Sequence, residues 1–178
     1  MTLDDFWEHI KKSKRKDPDA HVEKLTDRLG KLMPDEVVDF DHWWEMMARE
    51  AYHWNLWAAA YIINGGCSDD GFTDFRKWLI LRGRDVFQAA VTNPDTLADL
   101  NVEPDEASCD CCPAVHAWFA ATGRSDEDGG DTAWSAACRA KYPKDEPLPE
   151  LGDGWDFDDE DEMRKRLPRL AELYLDRE

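Results

Sequence analysis

Apolar side chains recur along this chain at intervals of three and four residues, which is the spacing of one face of an α-helix. Phe6 and Ile10 mark the first such face, and Pro18 marks the start of a new segment after a basic run. No segment alternates apolar and polar residues over enough positions to predict a β-strand. The pattern therefore predicts an all-α fold. A second apolar stripe consists of Val22, Leu25, Leu29 and Leu32.

The segment from His53 to Asn64 is apolar nearly all round, which is typical of a buried central helix. Gly65 follows directly and suits a C-terminal cap, because glycine adopts a positive φ at little cost. Beyond it, Ser68, Asp69 or Asp70 can cap the next helix. The stretch YIINGGCSDDGF is therefore predicted to be the junction of two packed helices.

The chain of 178 residues is long enough for one domain with its own core. Nine tryptophans are too many to leave in water, so most of the chain is predicted to fold into a compact multi-helix body. We divide it into a helical core (1–100), a variable cysteine-containing segment (101–142), and an acidic loop with a C-terminal helix (143–178). Proline, glycine and acidic residues make the acidic loop irregular, although Trp155 and Phe157 are expected to hold it against the core.

Negative charge accumulates toward the C-terminus of this chain, whose net charge is −18. Residues 1–33 carry +1, residues 34–94 carry −5, and residues 95–178 carry −14. A surface this acidic repels nucleic acid and anionic membranes, since both carry the same sign. Basic protein partners and small cations remain open.

The sequence also indicates a compartment. The opening letters MTLDDFWEHI are acidic and amphipathic, unlike a secretory signal. The longest apolar run, Leu56 to Ile63, is too short to cross a membrane. Five cysteines, an odd number, favour thiols or metal ligands over a disulfide framework. These features predict a cytoplasmic protein.

The run from Trp54 to Leu100, with the motif NGGCSDDGF followed by FRKWLI, resembles a bacterial family of unknown function, the one numbered 4240. Leu3–Ile10 and Gly154–Tyr174 support the resemblance, which thus touches the middle and both ends of the chain. No catalytic residues are assigned in that family, so the resemblance implies a fold and no chemistry. The chain departs from the family pattern between Ser108 and Tyr142, where it carries CDCC and a long polar turn.

Ser68, Asp69, Asp70 and Arg76 form one candidate ligand site. Two adjacent carboxylates beside a tight turn can bind a cation or act as an acid/base pair. The alternative is helix capping together with a structural ion pair from Asp70 to Arg76. Nothing in the stretch suggests a nucleophile with its base, so the sequence favours the structural interpretation.

Trp54 and Trp57, together with Asn64, are further ligand-binding candidates on the predicted central helix. Tryptophan faces attract cations, so these rings could line a pocket. At helical spacing, such residues more often belong to the core. We therefore expect most of the indoles to be buried and a few to be partly exposed.

The cysteines provide the candidate metal site. Cys109 and Cys112 have the C-x2-C spacing with which two thiolates reach one metal ion, and His116 follows one helical turn later. Cys138 would complete a Cys3His set suited to a structural zinc ion. The alternatives are reduced thiols in a loop, or a redox pair that includes Cys111.

These observations lead to one hypothesis and one alternative. The hypothesis is a non-catalytic binding or regulatory protein whose acidic surface meets a basic protein partner, as in an inhibitor, an immunity-type protein or a DNA mimic. The alternative is a metal-binding protein or an enzyme that uses the cysteine–histidine set or the loop of Asp69, Asp70 and Arg76.

Overall fold

A computed structural model describes residues 1–143 and 147–175. Within these ranges the chain forms α-helices and short 3-10 helices, and no strand is present, which confirms the all-α prediction. No helix in the same ranges is both long and apolar enough to cross a lipid bilayer. The α-helices are α1 (Leu3–Ser13), α2 (Pro18–Leu29), α3 (Pro34–Glu50), α4 (Trp54–Asn64), α5 (Asp69–Leu81), α6 (Arg84–Thr92), α7 (Pro113–Thr122), α8 (Gly130–Lys141), α9 (Glu160–Arg166) and α10 (Pro168–Tyr174). The 3-10 helices occupy Pro94–Leu100 and Asp126–Asp128.

The chain divides into two compact units, and the single domain over residues 1–178 stays a prediction from the sequence. The first unit contains Met1–Met46 and Cys111–Pro147, and the second contains Met47–Asp110 and Leu148–Glu178. The second unit carries 22 acidic and 10 basic residues, a net charge of −12, against −6 for the first unit. Two thirds of the net negative charge therefore belongs to the second unit.

The core of the first unit is built from the apolar faces of α1, α2, α3 and α7. Phe6, Leu25 and Phe40 are fully buried, and the ring centroid of Phe6 lies 4.8 Å from that of Phe40. The predicted stripe on α2 is confirmed at Leu25 and Leu29, which are both fully buried, and is wrong at Leu32. Helix α2 ends where Gly30 forms its C-terminal cap, so Leu32 lies in the turn beyond the helix.

Helix α4 lies at the centre of the second unit, where it contacts α5 and α10. Leu56, Ile63 and the three alanines 58–60 are fully buried. Phe72 and Phe75 of α5 are fully buried as well. The prediction of a buried central helix is therefore confirmed.

Gly65 ends α4 in the left-handed conformation, with φ of 66°. Exchange of Gly65 for alanine should lower the free energy of unfolding by about 1 kcal/mol, because a side chain is strained at this φ. Gly71→Ala is the matched control, since Gly71 lies within α5 and its φ is not positive. Urea unfolding of both variants measures the difference. Equal losses would contradict the role of the positive φ.

Candidate functional site

Asn64 and the backbone of α4 hold the loop 101–110 in place. The side-chain amide of Asn64 donates to the carbonyl of Ala107 and accepts from its N–H, each at 3.1 Å. The N–H of Asp105 donates to the carbonyl of Ile63 at 3.3 Å. Asn64, a ligand candidate from the sequence, thus uses its amide to fix the loop 101–110 beside the end of α4.

Ser68 is the N-cap of α5. Its hydroxyl accepts the N–H of Gly71 at 3.1 Å, which satisfies one of the donors left open at a helix start. Asp69 and Asp70 occupy the first turn of the helix and are exposed. The two carboxylates therefore face solvent where the helix dipole favours negative charge.

Arg76 is a buried arginine, only 5% exposed. Its guanidinium donates to the carbonyl of Ala48 at 2.8 Å and to the hydroxyl of Thr73 at 2.9 Å. It also lies over the ring of Tyr52, 5.0 Å from the centroid. Ala48 belongs to the last turn of α3, so Arg76 supplies a donor and a positive charge to the C-terminal end of that helix.

Five of the nine tryptophans are buried and four are half-buried, which confirms the prediction that most indoles are buried and a few are partly exposed. Trp44 and Trp78 are buried, whereas Trp43, Trp54 and Trp57 are half-buried. The rings of Trp54 and Trp57 stack with centroids 5.6 Å apart. Two of the ligand candidates therefore form a partly exposed aromatic surface on α4.

The acidic loop that precedes α9 lies on this aromatic surface. The indole N–H of Trp54 donates to the carbonyl of Gly152 at 3.3 Å. Gly154 lies so close that an added Cβ would stand 2.7 Å from the Trp54 ring. Phe157 packs edge-on against Trp54, with ring centroids 5.7 Å apart, and against Trp155 at 5.0 Å.

A cavity of about 280 Å³ opens where this loop meets the end of α4. The rings of Tyr61, Phe157 and Tyr174 line it together with the carboxylates of Asp158 and Glu160, and we call it the acidic–aromatic cleft. The hydroxyl of Tyr61 donates to Asp158 at 2.5 Å, and this hydrogen bond raises the pKa of Tyr61 above its ordinary value. The pairing fixes one carboxylate of the cleft against an aromatic wall.

Further exposed carboxylates lie on the segments that border the end of α4. Asp158 is joined to this end through Tyr61, and Asp105 through its backbone N–H. The exposed acidic residues on these segments include Asp69, Asp70, Glu103, Asp105, Glu106, Asp110, Asp153, Asp156, Asp158, Asp159, Glu160 and Asp161.

The predicted zinc ligands are spread over the chain. Cys109 is half-buried, and its N–H donates to the carbonyl of Asp74 at 3.2 Å. Cys112 and His116 are exposed at the start of α7 and within it, and Cys138 is half-buried on α8. In the part of the chain that the structure describes, no three His, Cys, Asp or Glu side chains gather closely enough to hold a metal ion. The zinc set stays a prediction from the sequence.

Cys138 has a different neighbour, the carboxylate of Asp41 on α3, which lies 3.9 Å from its sulfur. Burial raises the pKa of the Cys138 thiol to about 12, and the charge of Asp41 contributes. Burial, assisted by Glu45, likewise raises the pKa of Asp41 to about 7. Sequence reasoning missed this pair, because the two residues are 97 positions apart.

Comparisons with known proteins identify a family. Comparison with curated proteins and with solved structures gave no match for the chain. The family model described as "Protein of unknown function (DUF4240)" matches residues 1–121. This match confirms the resemblance at Leu3–Ile10 and Trp54–Leu100, whereas Gly154–Tyr174, which contains Phe157 and Asp158, lies beyond the matched residues. The chain belongs to the DUF4240 family.

Proposed function

We propose that this protein is a non-catalytic binding protein whose acidic–aromatic cleft receives a basic segment of a partner protein. The observation that carries the proposal is the cleft itself, where carboxylates stand beside aromatic rings around about 280 Å³ of space. Lysine and arginine side chains have the two parts that suit such a cavity, an apolar stem and a cationic head. The stem would lie over Phe157 and Tyr174, and the head would face Asp158 and Glu160.

Two further features support a basic partner. Aromatic faces attract cations, so the rings and the carboxylates of the cleft favour the same kind of side chain. The second unit carries a net charge of −12, and a charge of this size accelerates encounters with basic proteins. The same charge disfavours nucleic acid as a direct ligand.

An inhibitor, an immunity-type protein or a DNA mimic would use such a site, because each covers a cationic surface of its target. We propose the cytoplasm as the compartment. All five cysteines are thiols rather than disulfides, which fits a reducing environment.

Neutralising the cleft with Asp158→Asn and Glu160→Gln should weaken the binding of a lysine- and arginine-rich peptide about 10-fold, because two carboxylates that face the cationic head lose their charge. Fluorescence anisotropy of a labelled peptide at low salt measures the affinity for the full chain. A peptide of the same length with glutamine in place of each basic residue should not bind.

A second pair of substitutions separates the cleft from general charge attraction. Glu23→Gln with Asp27→Asn removes the same number of charges from exposed positions on α2 in the first unit. With both pairs compared at an ionic strength of about 0.15 M, we expect this control to change the affinity less than about 2-fold, since neither residue lines the cleft and salt screens exposed charges outside a binding site. Equal weakening by both pairs, or an affinity that ignores salt, would contradict the proposal.

A further inference from the structure

The first unit contains a cavity of its own, with a volume of about 350 Å³. One wall comes from α3, where Asp41, His42 and Glu45 share a face, and the other wall comes from α8 with Trp134 and Cys138. A volume of this size lies within the range of small-molecule sites. The cavity belongs to this unit alone and is unrelated to the acidic–aromatic cleft.

The carboxylate of Asp41 lacks a strong partner. Within the described residues, its one hydrogen-bond partner is the thiol of Cys138, at 3.9 Å, and a thiol is a weak donor. Glu45 adds a second carboxylate from the same helix, and the exposed Arg139 contributes the one guanidinium of the lining. A desolvated carboxylate of this kind is stabilised by a cation that can donate hydrogen bonds.

Aromatic rings complete the cavity. Trp134 is 9% exposed, and its ring is held against Trp118 with centroids 5.7 Å apart. The ring of Tyr142 lies parallel to that of His42, with centroids 3.8 Å apart, and its hydroxyl donates to Asp39 at 2.6 Å. These fixed rings offer an apolar and cation-attracting surface next to the two carboxylates.

We propose that this cavity binds a small organic amine as its ammonium ion, with the ammonium group against Asp41 and the organic part against Trp134. Asp41 accepts the hydrogen bonds of the ammonium group, and Glu45 adds long-range attraction at the mouth of the cavity. The cavity favours an organic cation over a metal ion, because a metal ion needs several protein ligands and no three His, Cys, Asp or Glu side chains gather among the described residues, whereas the rings offer apolar surface to an organic group.

Calorimetric titration of the full chain with benzylamine tests this proposal, with benzyl alcohol as the neutral compound of nearly the same shape. We expect saturable binding of the amine with a Kd of about 1 mM or tighter at about pH 8, where Asp41, with its pKa of about 7, is mostly ionised, and no saturable binding of the alcohol. Asp41→Asn should weaken the amine at least about 10-fold, because the ammonium ion loses its counter-charge.

Asp27→Asn is the matched control, an exposed carboxylate on α2 outside the cavity, and should leave the affinity unchanged. If Asp41→Asn does not fold, Glu45→Gln at an exposed position takes its place, with an expected loss of about 3-fold. Equal binding of the alcohol and the amine, no saturation by the amine, or full affinity in the folded Asp41 variant would each overturn the proposal. The readout is independent of the peptide assay for the second unit.

Discussion

Replacing Arg76 by methionine is expected to lower the free energy of unfolding by about 3 kcal/mol, because the half-buried carbonyl of Ala48 and the buried carbonyl of Phe72 lose a charged donor while the apolar volume is kept. The carbonyl of Ala48 and the hydroxyl of Thr73 lose hydrogen bonds of 2.8 and 2.9 Å, and the Tyr52 ring loses the cation above it. Urea denaturation followed by circular dichroism measures the change.

Two further variants test whether the loss at Arg76 comes from its hydrogen bonds or from an ion pair with Asp70. Arg76→Lys keeps the charge but not the planar fork of donors, so we expect an intermediate loss of about 1–2 kcal/mol. Asp70→Asn alters an exposed carboxylate and should change stability by less than about 0.5 kcal/mol. A loss at Asp70 as large as that at Arg76 would instead support the ion pair that the sequence offered as an alternative.

Asp39→Asn should lower the free energy of unfolding by about 2 kcal/mol at pH 7, and the loss should disappear as the pH falls toward 2. Burial alone would raise the pKa of Asp39, but hydrogen bonds from Lys141, the amino group of Met1 and Tyr142 lower it from 3.8 to about 2. Between about pH 4 and pH 2, the carboxyl group of Asp39 is protonated in the unfolded chain but still ionised in the folded chain. The stability contributed by Asp39 is therefore present above pH 4 and lost between about pH 4 and pH 2.

Asp35→Asn is the matched control for this pH dependence. Asp35 pairs with the same Lys141 ammonium group, yet its side chain is 78% exposed, against 10% for Asp39. An exposed pair of this kind contributes little, and we expect a change of less than about 0.5 kcal/mol. Denaturation curves for both variants at several pH values give the comparison. If the free energies of unfolding of wild type and the Asp39 variant differed by the same amount at every pH, the lowered pKa of Asp39 would not be the source of this stability.

The helices of this fold were predictable because their signals are local. The apolar spacing, the glycine after Asn64 and the serine before α5 all act within one or two turns, and the predictions from them are confirmed except at Leu32, which lies beyond the end of α2. The 3-10 helix Pro94–Leu100 was not predicted, because its stability depends on distant partners. Its buried Asp95 accepts the N–H groups of Arg169 and Leu170 at 3.0 Å each, across more than seventy residues of chain.

The candidate site was predictable only in part, for the same reason. Trp54 and Asn64 could be selected from their segment alone, but the cleft forms where Tyr61 meets Asp158, 97 residues away. The one local signal was the presence of Trp155 and Phe157 in an otherwise polar and acidic stretch. Those aromatic residues indicated attachment to the core, but not the place of attachment.

The way in which the acidic loop is attached decides which of its positions can be exchanged. The Trp54 indole is bonded to the carbonyl of Gly152 and lies too close to Gly154 to admit a side chain there. Because the anchor is a backbone carbonyl, the side chain of the exposed neighbour Asp153 can be exchanged without loss of that hydrogen bond. A side chain at position 154 would instead displace the Trp54 ring, so the charge of the loop can be changed at position 153, but not at position 154, without moving the anchor.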